Sequence, residues 1–261
     1  MSATEAPVAP YRPSRTRAIS AMVLIGFVSA VLVYSATVEA RASGLVERAI
    51  NGFATDADFA SLSREENLAS GAYIVGYIGA AIAFLAWLSR AVENIPPLGG
   101  GRPMFTPRSA IGWWFVPFAN FVQGYRIVAD LWRRMATTAS ERRVVLVLAW
   151  WLLWLGAQVA SRLVTMAVNN VRTFEEIRAL VVPSVVAPLA TAVAGLLLIW
   201  IIRETERRVA LRAALSATAG GVSVLPVGVL NSIRYCASCG AMKIDAGPNC
   251  TACGKELPAP A

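Results

Sequence analysis

Four long stretches of the chain contain almost no charged residues, and no other feature restricts the fold so strongly. Residues 18–38 are 21 consecutive uncharged residues, residues 68–89 are 22, and residues 179–202 are 24. Residues 144–168 form a similar stretch, interrupted only by Arg162. Because a helix rises about 1.5 Å per residue, each stretch can cross a hydrocarbon core about 30 Å thick. The sequence therefore predicts an all-α membrane protein with four transmembrane helices.

The composition agrees with lipid as the surrounding solvent. Hydrophobic residues make up 56% of the 261-residue chain and charged residues only 15%, whereas soluble domains carry about 25% charged residues. The first stretch could instead be a cleaved signal peptide. Since the apolar region of a signal peptide is about 7–15 residues long, a membrane anchor is favoured.

The second stretch is rich in small residues, which permit close helix approach. Gly71, Gly76, Gly79 and neighbouring alanines lie along one flank of a helix. We expect them to pack against other spans of the same chain. Homo-oligomerisation through this flank is the alternative left open.

Residues 90–143 form the longest connection between spans. It begins with the sequence PPLGGG at 96–101, which predicts a flexible, non-helical break. The apolar run from Trp113 to Phe121 is too short to cross a bilayer and contains Pro117, so we expect a re-entrant or interfacial segment.

An amphipathic helix is predicted from Tyr125 to Ala136, because apolar and basic side chains fall on opposite halves of the helical wheel. Such a helix suits the membrane interface, although its apolar half could equally pack on the spans. The whole interfacial segment is predicted at 109–136. Its candidate interfacial residues are Trp113, Trp114, Arg126, Trp132, Arg133 and Arg134.

Arg162 is the one charged residue inside a predicted span. It can extend its guanidinium group to the lipid headgroups from its position near the end of the helix. Alternatively, it pairs with Glu175 or Glu176 at the mouth of a polar cavity. The candidate polar intramembrane site then consists of Arg162, Gln158 and Asn120.

The distribution of basic residues predicts the orientation. Of the 24 Lys and Arg residues, 18 lie in the N-terminal tail, the 90–143 connection and the segment after residue 202. Basic residues near spans stay in the cytoplasm. We therefore expect both termini to be cytoplasmic.

All four cysteines lie near the C-terminus as two CxxC pairs separated by ten residues: Cys236, Cys239, Cys250 and Cys253. This spacing is typical of a zinc ribbon, in which four thiolates hold a structural Zn²⁺ at about 2.3 Å. Gly240 and Gly254 follow the second cysteine of each pair, where a positive φ lets backbone N–H groups point at sulfur. Two disulfides are disfavoured by a reducing cytoplasm, and a thioredoxin-type pair lacks a βαβ context.

These patterns divide the chain into a disordered tail at 1–17, a membrane domain at 18–215, a linker at 216–230 and a small β-type zinc ribbon at 231–257. The chain contains no histidine, which excludes Ser-His-Asp and Cys-His catalysis. No Asp or Glu lies within a predicted span. Enzymatic activity is therefore not expected.

Residues 112–120, GWWFVPFAN, together with Tyr125-Arg126 and the DLWR sequence at 130–133, resemble a bacterial membrane family called domain of unknown function 4328. The resemblance covers roughly residues 15–210. It implies a multi-span protein of the bacterial inner membrane and adds no activity.

The sequence favours a non-enzymatic interaction or regulatory module, anchored in the lipid bilayer, that presents the zinc ribbon to a cytoplasmic protein partner. A subunit of a small oligomeric transporter or channel is the alternative. A nucleic-acid partner is not expected, because no surface combining basic and aromatic residues is visible.

Overall fold

The computed structural model describes residues 10–138, 140–221, 234–235, 242–243 and 253–255. Within these ranges six α-helices follow one another: α1 (Arg15–Ile50), α2 (Asp56–Glu93), α3 (Pro107–Gly112), α4 (Asn120–Met135), α5 (Val145–Val168) and α6 (Phe174–Gly221). Single 3₁₀ turns at Trp113–Phe115 and Ser140–Arg142 precede α4 and α5.

Four of these helices, α1, α2, α5 and α6, are long and apolar enough to cross a membrane. At most 28% of the residues in their most apolar windows are buried inside the protein. The remaining apolar side chains need a non-aqueous environment, since water would make such an exposed surface unstable. The chain is therefore a multi-pass membrane protein, as its sequence predicts.

The helices extend beyond the predicted spans. Helix α1 continues without interruption past the predicted span, which ends at residue 38, as far as Ile50. At the other end of the chain, α6 contains both Pro183 and Pro188 and continues past the apolar region to Gly221. Intrahelical hydrogen bonds satisfy the backbone in water as well as in lipid, so a change of solvent does not end a helix.

Helix α1 lies at the centre of the bundle, between α2 and α6. Two glycines permit these contacts: a Cβ atom at Gly76 would lie 2.9 Å from the Phe27 ring, and one at Gly195 would overlap the Ser29 hydroxyl. The expectation of close packing within the chain is confirmed at Gly76. Gly71, in contrast, faces open space.

Helix α5 packs against α6, whereas α2 and α5 make almost no contact with each other. The four long helices thus form an open arc in the order α2, α1, α6, α5. Two short helices lie between α2 and α5 in sequence. Helix α3 contacts α2, and α4 contacts both α2 and α5, which closes part of the opening.

Charged residues gather at the two ends of the bundle. At the acidic end, ion pairs connect Arg48 to Asp58 at 3.0 Å and Arg178 to Glu47 at 3.1 Å. The basic end contains residues 10–14, the described residues between 94 and 143, and the α6 extension. A chain that crosses the membrane four times must place the segment before the first span, the connection between the second and third spans, and the segment after the fourth span on one side, as these segments are placed here.

Of the tail predicted as disordered over residues 1–17, residues 10–17 have a defined structure, and residues 1–9 lie outside the described part of the chain. Helix α1 already begins at Arg15, and the buried Asn94 side chain binds the Arg12 backbone twice. Arg12 N donates to Asn94 Oδ1 at 3.1 Å, and Asn94 Nδ2 donates to Arg12 O at 2.7 Å. We call this pair of hydrogen bonds the amide clamp. It holds in place residues that are too polar to form an apolar core of their own.

Two short antiparallel strands, β1 (Arg234–Tyr235) and β2 (Met242–Lys243), are described near the C-terminus. Arg234 pairs with Lys243 and Tyr235 with Met242. Apart from residues 253–255, the rest of the predicted ribbon lies outside the described residues.

Candidate functional site

A turn at Trp113–Phe121 reverses the chain between α3 and α4. Phe118 has a φ of 62°, a left-handed conformation that is rare for a residue with a large side chain. The backbone stays satisfied, because Asn120 N donates to Val116 O at 3.1 Å and Gln123 N to Ala119 O at 2.8 Å. Phe115 and Phe118 are 73% and 82% exposed. These rings suit contact with lipid, as expected for a re-entrant or interfacial segment.

The inner side of this turn carries Trp114. Its ring meets Phe84 of α2 and Trp151 of α5 edge-on, with centroids 5.4 and 5.9 Å apart. Trp151 in turn donates its indole N–H to Phe121 O at 3.0 Å. The absence of a side chain at Gly124 permits this approach, since a Cβ atom there would lie 2.6 Å from the Trp151 ring. Trp114 thus connects two helices that hardly contact each other directly.

A cavity of about 490 Å³ lies beside Trp114, inside the arc of the four long helices. We call it the lateral cleft. Its lining is largely apolar and includes Val28 and Leu32 from α1, Phe84 from α2, Trp150 and Trp154 from α5 and Leu198 from α6. Its volume and lining are typical of sites that accept small apolar ligands.

Two polar atoms at the lateral cleft have no hydrogen-bond partner in the described part of the chain: Asn120 Oδ1 and Trp114 Nε1. The cleft hydroxyls of Ser29 and Thr191 donate instead to carbonyls of their own helices, at 2.9 and 3.0 Å. Asn120 and Trp114 therefore place one unpaired acceptor and one unpaired donor, both buried, in the wall of the cleft.

The three residues of the predicted polar intramembrane site do not come together at the cleft. Asn120 lines it, whereas Gln158 and Arg162 are absent from its lining. Arg162 is exposed, and no described carboxylate forms an ion pair with it. Glu176, one of its candidate partners, instead accepts hydrogen bonds from the backbone N–H groups of Arg172 and Thr173.

The predicted amphipathic helix is present as α4, and its apolar half is buried in protein. Ile127, Val128 and Leu131 are each 1% exposed. On the opposite half, Arg126 and Arg133 are exposed, while Asp130 is buried. Asp130 accepts from Arg134 Nε at 2.8 Å, an ion pair between residues four apart on one helix, and from Met104 N at 3.0 Å.

Trp132 joins α4 to α6. The guanidinium group of Arg208 lies 3.8 Å from the centre of the Trp132 ring and is almost fully buried. Arg208 also donates to Glu204 Oε1 at 2.9 Å and to the Glu141 carbonyl at 3.2 Å. Planar stacking combined with charge-assisted hydrogen bonds makes this a strong contact between the two helices.

The carboxylates beside Arg208 are stabilised in their charged form. Hydrogen bonds from Arg207 lower the pKa of Glu204. Burial opposes this effect and Arg208 adds to it, so the pKa of Glu204 lies below its ordinary value. Burial raises the pKa of Glu141, but hydrogen bonds from Thr137 and the charge of Arg208 outweigh it, so this pKa is also lowered. The region functions as a connected ionic network. Sequence reasoning missed Arg208, because nothing in a run of arginines indicates which member stacks on a tryptophan.

The match to known families agrees with this architecture. A model of the family described as Domain of unknown function (DUF4328) matches residues 53–207, which is more than half of the chain. The chain belongs to the DUF4328 family. No curated protein and no solved structure shows significant similarity to it.

The matched DUF4328 region begins just before α2, so it is shorter than the range of roughly 15–210 expected from the sequence motifs. It contains the turn with Trp114, all of α4 and α5, and α6 as far as Arg207. The match thus includes the walls of the lateral cleft that come from α2, the Trp114 turn, α5 and α6. It also includes Glu141, Glu204 and Arg207 of the ionic network, but not Arg208. Helix α1, which packs between α2 and α6, lies outside the match.

The cysteine cluster also lies outside the DUF4328 match. Cys236, Cys239 and Cys250 are outside the described residues, and Cys253 is exposed. In the described residues no three side chains from His, Cys, Asp and Glu are grouped to hold a metal. Gly254 has a φ of 74°, the conformation predicted for the glycine after the last cysteine.

Proposed function

We propose that this DUF4328 protein is a non-enzymatic, membrane-anchored interaction module that presents a zinc ribbon to a protein partner on the cytoplasmic side. The observation that carries the proposal is the continuity of α6. This helix of 48 residues begins in the membrane domain and leads directly into the segment before the cysteines. A binding module at its end has a defined point of attachment.

The contacts of α6 at the basic end support a rigid attachment. Besides Arg208, Arg212 donates to three backbone carbonyls, at 3.0 Å to Leu98, 3.3 Å to Met135 and 2.7 Å to Ala136. A guanidinium group has five N–H donors in a fixed plane, so it can hold several segments together. The α6 extension is therefore tied to the rest of the basic end.

The metal proposal rests on the chemistry of the cysteines. Four thiolates from Cys236, Cys239, Cys250 and Cys253 would hold Zn²⁺ without an open position, which makes the site structural. The antiparallel pairing of β1 and β2 directly brackets the first CxxC pair, and the positive φ of Gly254 follows the second. Both features fit a ribbon. Zinc would order a segment that is too small to build its own apolar core.

The cytoplasmic placement of the basic end rests on its excess of Arg and Lys over the acidic end. A bacterial inner membrane is the setting proposed for it. A cysteine introduced at exposed Arg64, at the acidic end, should react with an impermeant thiol reagent in intact cells, while one at Lys255 should not. The reverse pattern would overturn the orientation.

Two measurements test the function itself. The purified protein should contain one zinc per chain, and Cys236→Ser/Cys239→Ser should contain none while its membrane domain melts at the same temperature. A photo-crosslinking residue at Lys255 should give discrete protein adducts in cells, and the double Cys variant should lose them. The same residue at Arg64 is the matched control. Adducts that persist without the cysteines, or that form equally from both positions, would refute the proposal.

The lateral cleft favours a second candidate, a subunit of a small oligomeric transporter or channel. The cleft can form one side of a transport path, and Asn120 Oδ1 is an unpaired hydrogen-bond acceptor in its lining. Asn120→Leu should then reduce flux in reconstituted vesicles, and Arg162→Leu, which is outside the cleft, should not. Equal flux in wild type and Asn120→Leu would remove this candidate.

A further inference from the structure

A second cavity, of about 340 Å³, lies at the basic end between the 94–106 segment, α4, the Ser140–Arg142 turn and α6. Four arginines and one carboxylate line it: Arg133, Arg134, Arg142, Arg212 and Asp130. Gly99 and Gly100 complete the wall. We call it the arginine pocket. Its side chains carry a net charge of +3, and sequence reasoning identified it neither as a cavity nor as a site.

Two of the four guanidinium groups are held in place by neighbouring carbonyl groups. Arg212 donates to the carbonyls of Leu98, Met135 and Ala136. Arg134 donates to Gly100 O at 3.1 Å and to Asp130. Carbonyl oxygens position a guanidinium group but do not neutralise it, so Arg212 keeps its full charge. Each of these arginines retains N–H donors for another acceptor.

The PPLGGG segment contributes to this positioning. It was expected to be a flexible break, but Gly99 N donates to Pro96 O at 3.0 Å and Gly100 N to Ile95 O at 2.9 Å. Gly99 has a φ of 72°, which closes the turn. The segment is thus a hydrogen-bonded turn whose carbonyls face Arg134 and Arg212.

The other two arginines lack a partner in the described part of the chain. The Arg133 and Arg142 side chains are exposed, and neither forms a hydrogen bond or an ion pair with the described residues. Burial, followed by the like charge of Arg142, lowers the pKa of Arg212. Like charges placed together around a partly buried group repel one another until an anion binds between them.

We propose that the arginine pocket binds a phosphate group. Several guanidinium groups around one cavity match the oxygens of a phosphate better than a single ammonium group does. The pocket lies at the basic end of the protein, beyond the ends of the apolar spans, where anionic headgroups or soluble anions can reach it. The phosphate can belong to an anionic lipid headgroup or to a soluble phosphate compound.

The test uses the full-length protein and two matched double variants. Arg133→Gln/Arg142→Gln removes the two unpartnered arginines of the pocket. Arg102→Gln/Arg108→Gln removes two exposed arginines of the same connection that do not line the pocket. Both variants lose the same charge from the same end of the protein, and all four residues are exposed, so each variant should fold.

Native mass spectrometry in detergent would measure retention of phosphatidylglycerol against phosphatidylcholine. The wild type should retain phosphatidylglycerol preferentially, and the pocket variant should lose about tenfold in that preference. The control variant should lose less than half as much. A second arm measures thermal stability with inorganic phosphate in lipid-free detergent. Stabilisation of the wild type but not of the pocket variant there would assign a soluble phosphate as the ligand.

The proposal is overturned by either of two results. One is an equal loss in both variants, which would reduce the effect to general surface charge. The other is the absence of any phosphate preference, for lipid or for inorganic phosphate, in the wild type.

Discussion

The contact between α1 and α6 gives the sharpest test of the fold. Gly195→Ala places a Cβ atom on the Ser29 hydroxyl and 3.4 Å from Ile25 Cγ2. The hydroxyl can rotate away only by giving up its hydrogen bond to Ile25 O, which is 2.9 Å long. That loss costs about 0.5–1.5 kcal/mol. If the hydroxyl stays, overpacking costs about 1–3 kcal/mol.

The gain from replacing glycine in a helix interior offsets part of this cost, by about 0.5–1 kcal/mol. We therefore expect Gly195→Ala to lower the free energy of unfolding by about 1 kcal/mol. Ser29→Ala removes the obstructing oxygen and leaves only the ordinary contact with Ile25. The double variant should be at least as stable as Ser29→Ala alone, which gives a coupling energy of about 1–2 kcal/mol.

The assay is denaturant titration of the purified protein in detergent, followed by helical circular dichroism. Gly156→Ala is the control, because a Cβ atom on that α5 glycine meets nothing within 4 Å. It should leave stability unchanged or raise it by up to about 1 kcal/mol. If Gly195→Ala behaves like this control and Ser29→Ala gives no rescue, the packing of α1 against α6 is wrong.

Three further predictions concern the basic end. Arg208→Ala should cost about 2–4 kcal/mol of unfolding free energy, because it removes the stacking on Trp132 and the charge-assisted hydrogen bonds to Glu204 and to the Glu141 carbonyl. Exposed Arg203→Ala should change it by less than about 0.5 kcal/mol in the same titration, and comparable losses would contradict the burial of Arg208. Asn94→Ala should release the Arg12 backbone and speed tryptic cleavage near the N-terminus, followed by peptide mass spectrometry; unchanged cleavage would argue against the clamp. The folded pKa of Glu204 lies below its unfolded value, so its contribution is present above the unfolded pKa and disappears as pH falls through the folded pKa. Thermal melts below about pH 4.3 should therefore show a smaller acid-induced loss for Glu204→Gln than for the wild type.

Local patterns were sufficient for the secondary structure of the membrane domain. The four long helices, the turn at Pro117 and the amphipathic helix α4 all follow from stretches in which length or periodicity leaves little choice. Helix ends were less well predicted. A helix can continue after it leaves the membrane. The uncharged stretch from residue 18 to 38 is therefore much shorter than α1, which runs from Arg15 to Ile50.

The partners of polar residues could not be read from local patterns. Asp130 and Arg134 are four residues apart, so their pairing on one helix was predictable. Arg208 stacks on Trp132, although the two residues are 76 positions apart in the chain. Arg212 donates to the Ala136 carbonyl across the same number of positions. Only the fold decides which arginine of the run from Arg203 to Arg212 turns inward.

The sequence by itself determined that this protein crosses a membrane, because uncharged stretches of that length satisfy their backbone only as helices in hydrocarbon. It also assigned the chain to DUF4328 through the residues around Pro117. The tertiary structure decided that α2 and α5 stay apart, which leaves the lateral cleft between them, and that four arginines from three segments surround one pocket. Those features depend on distances between segments that are remote in the chain, and periodicity within one segment carries no information about them.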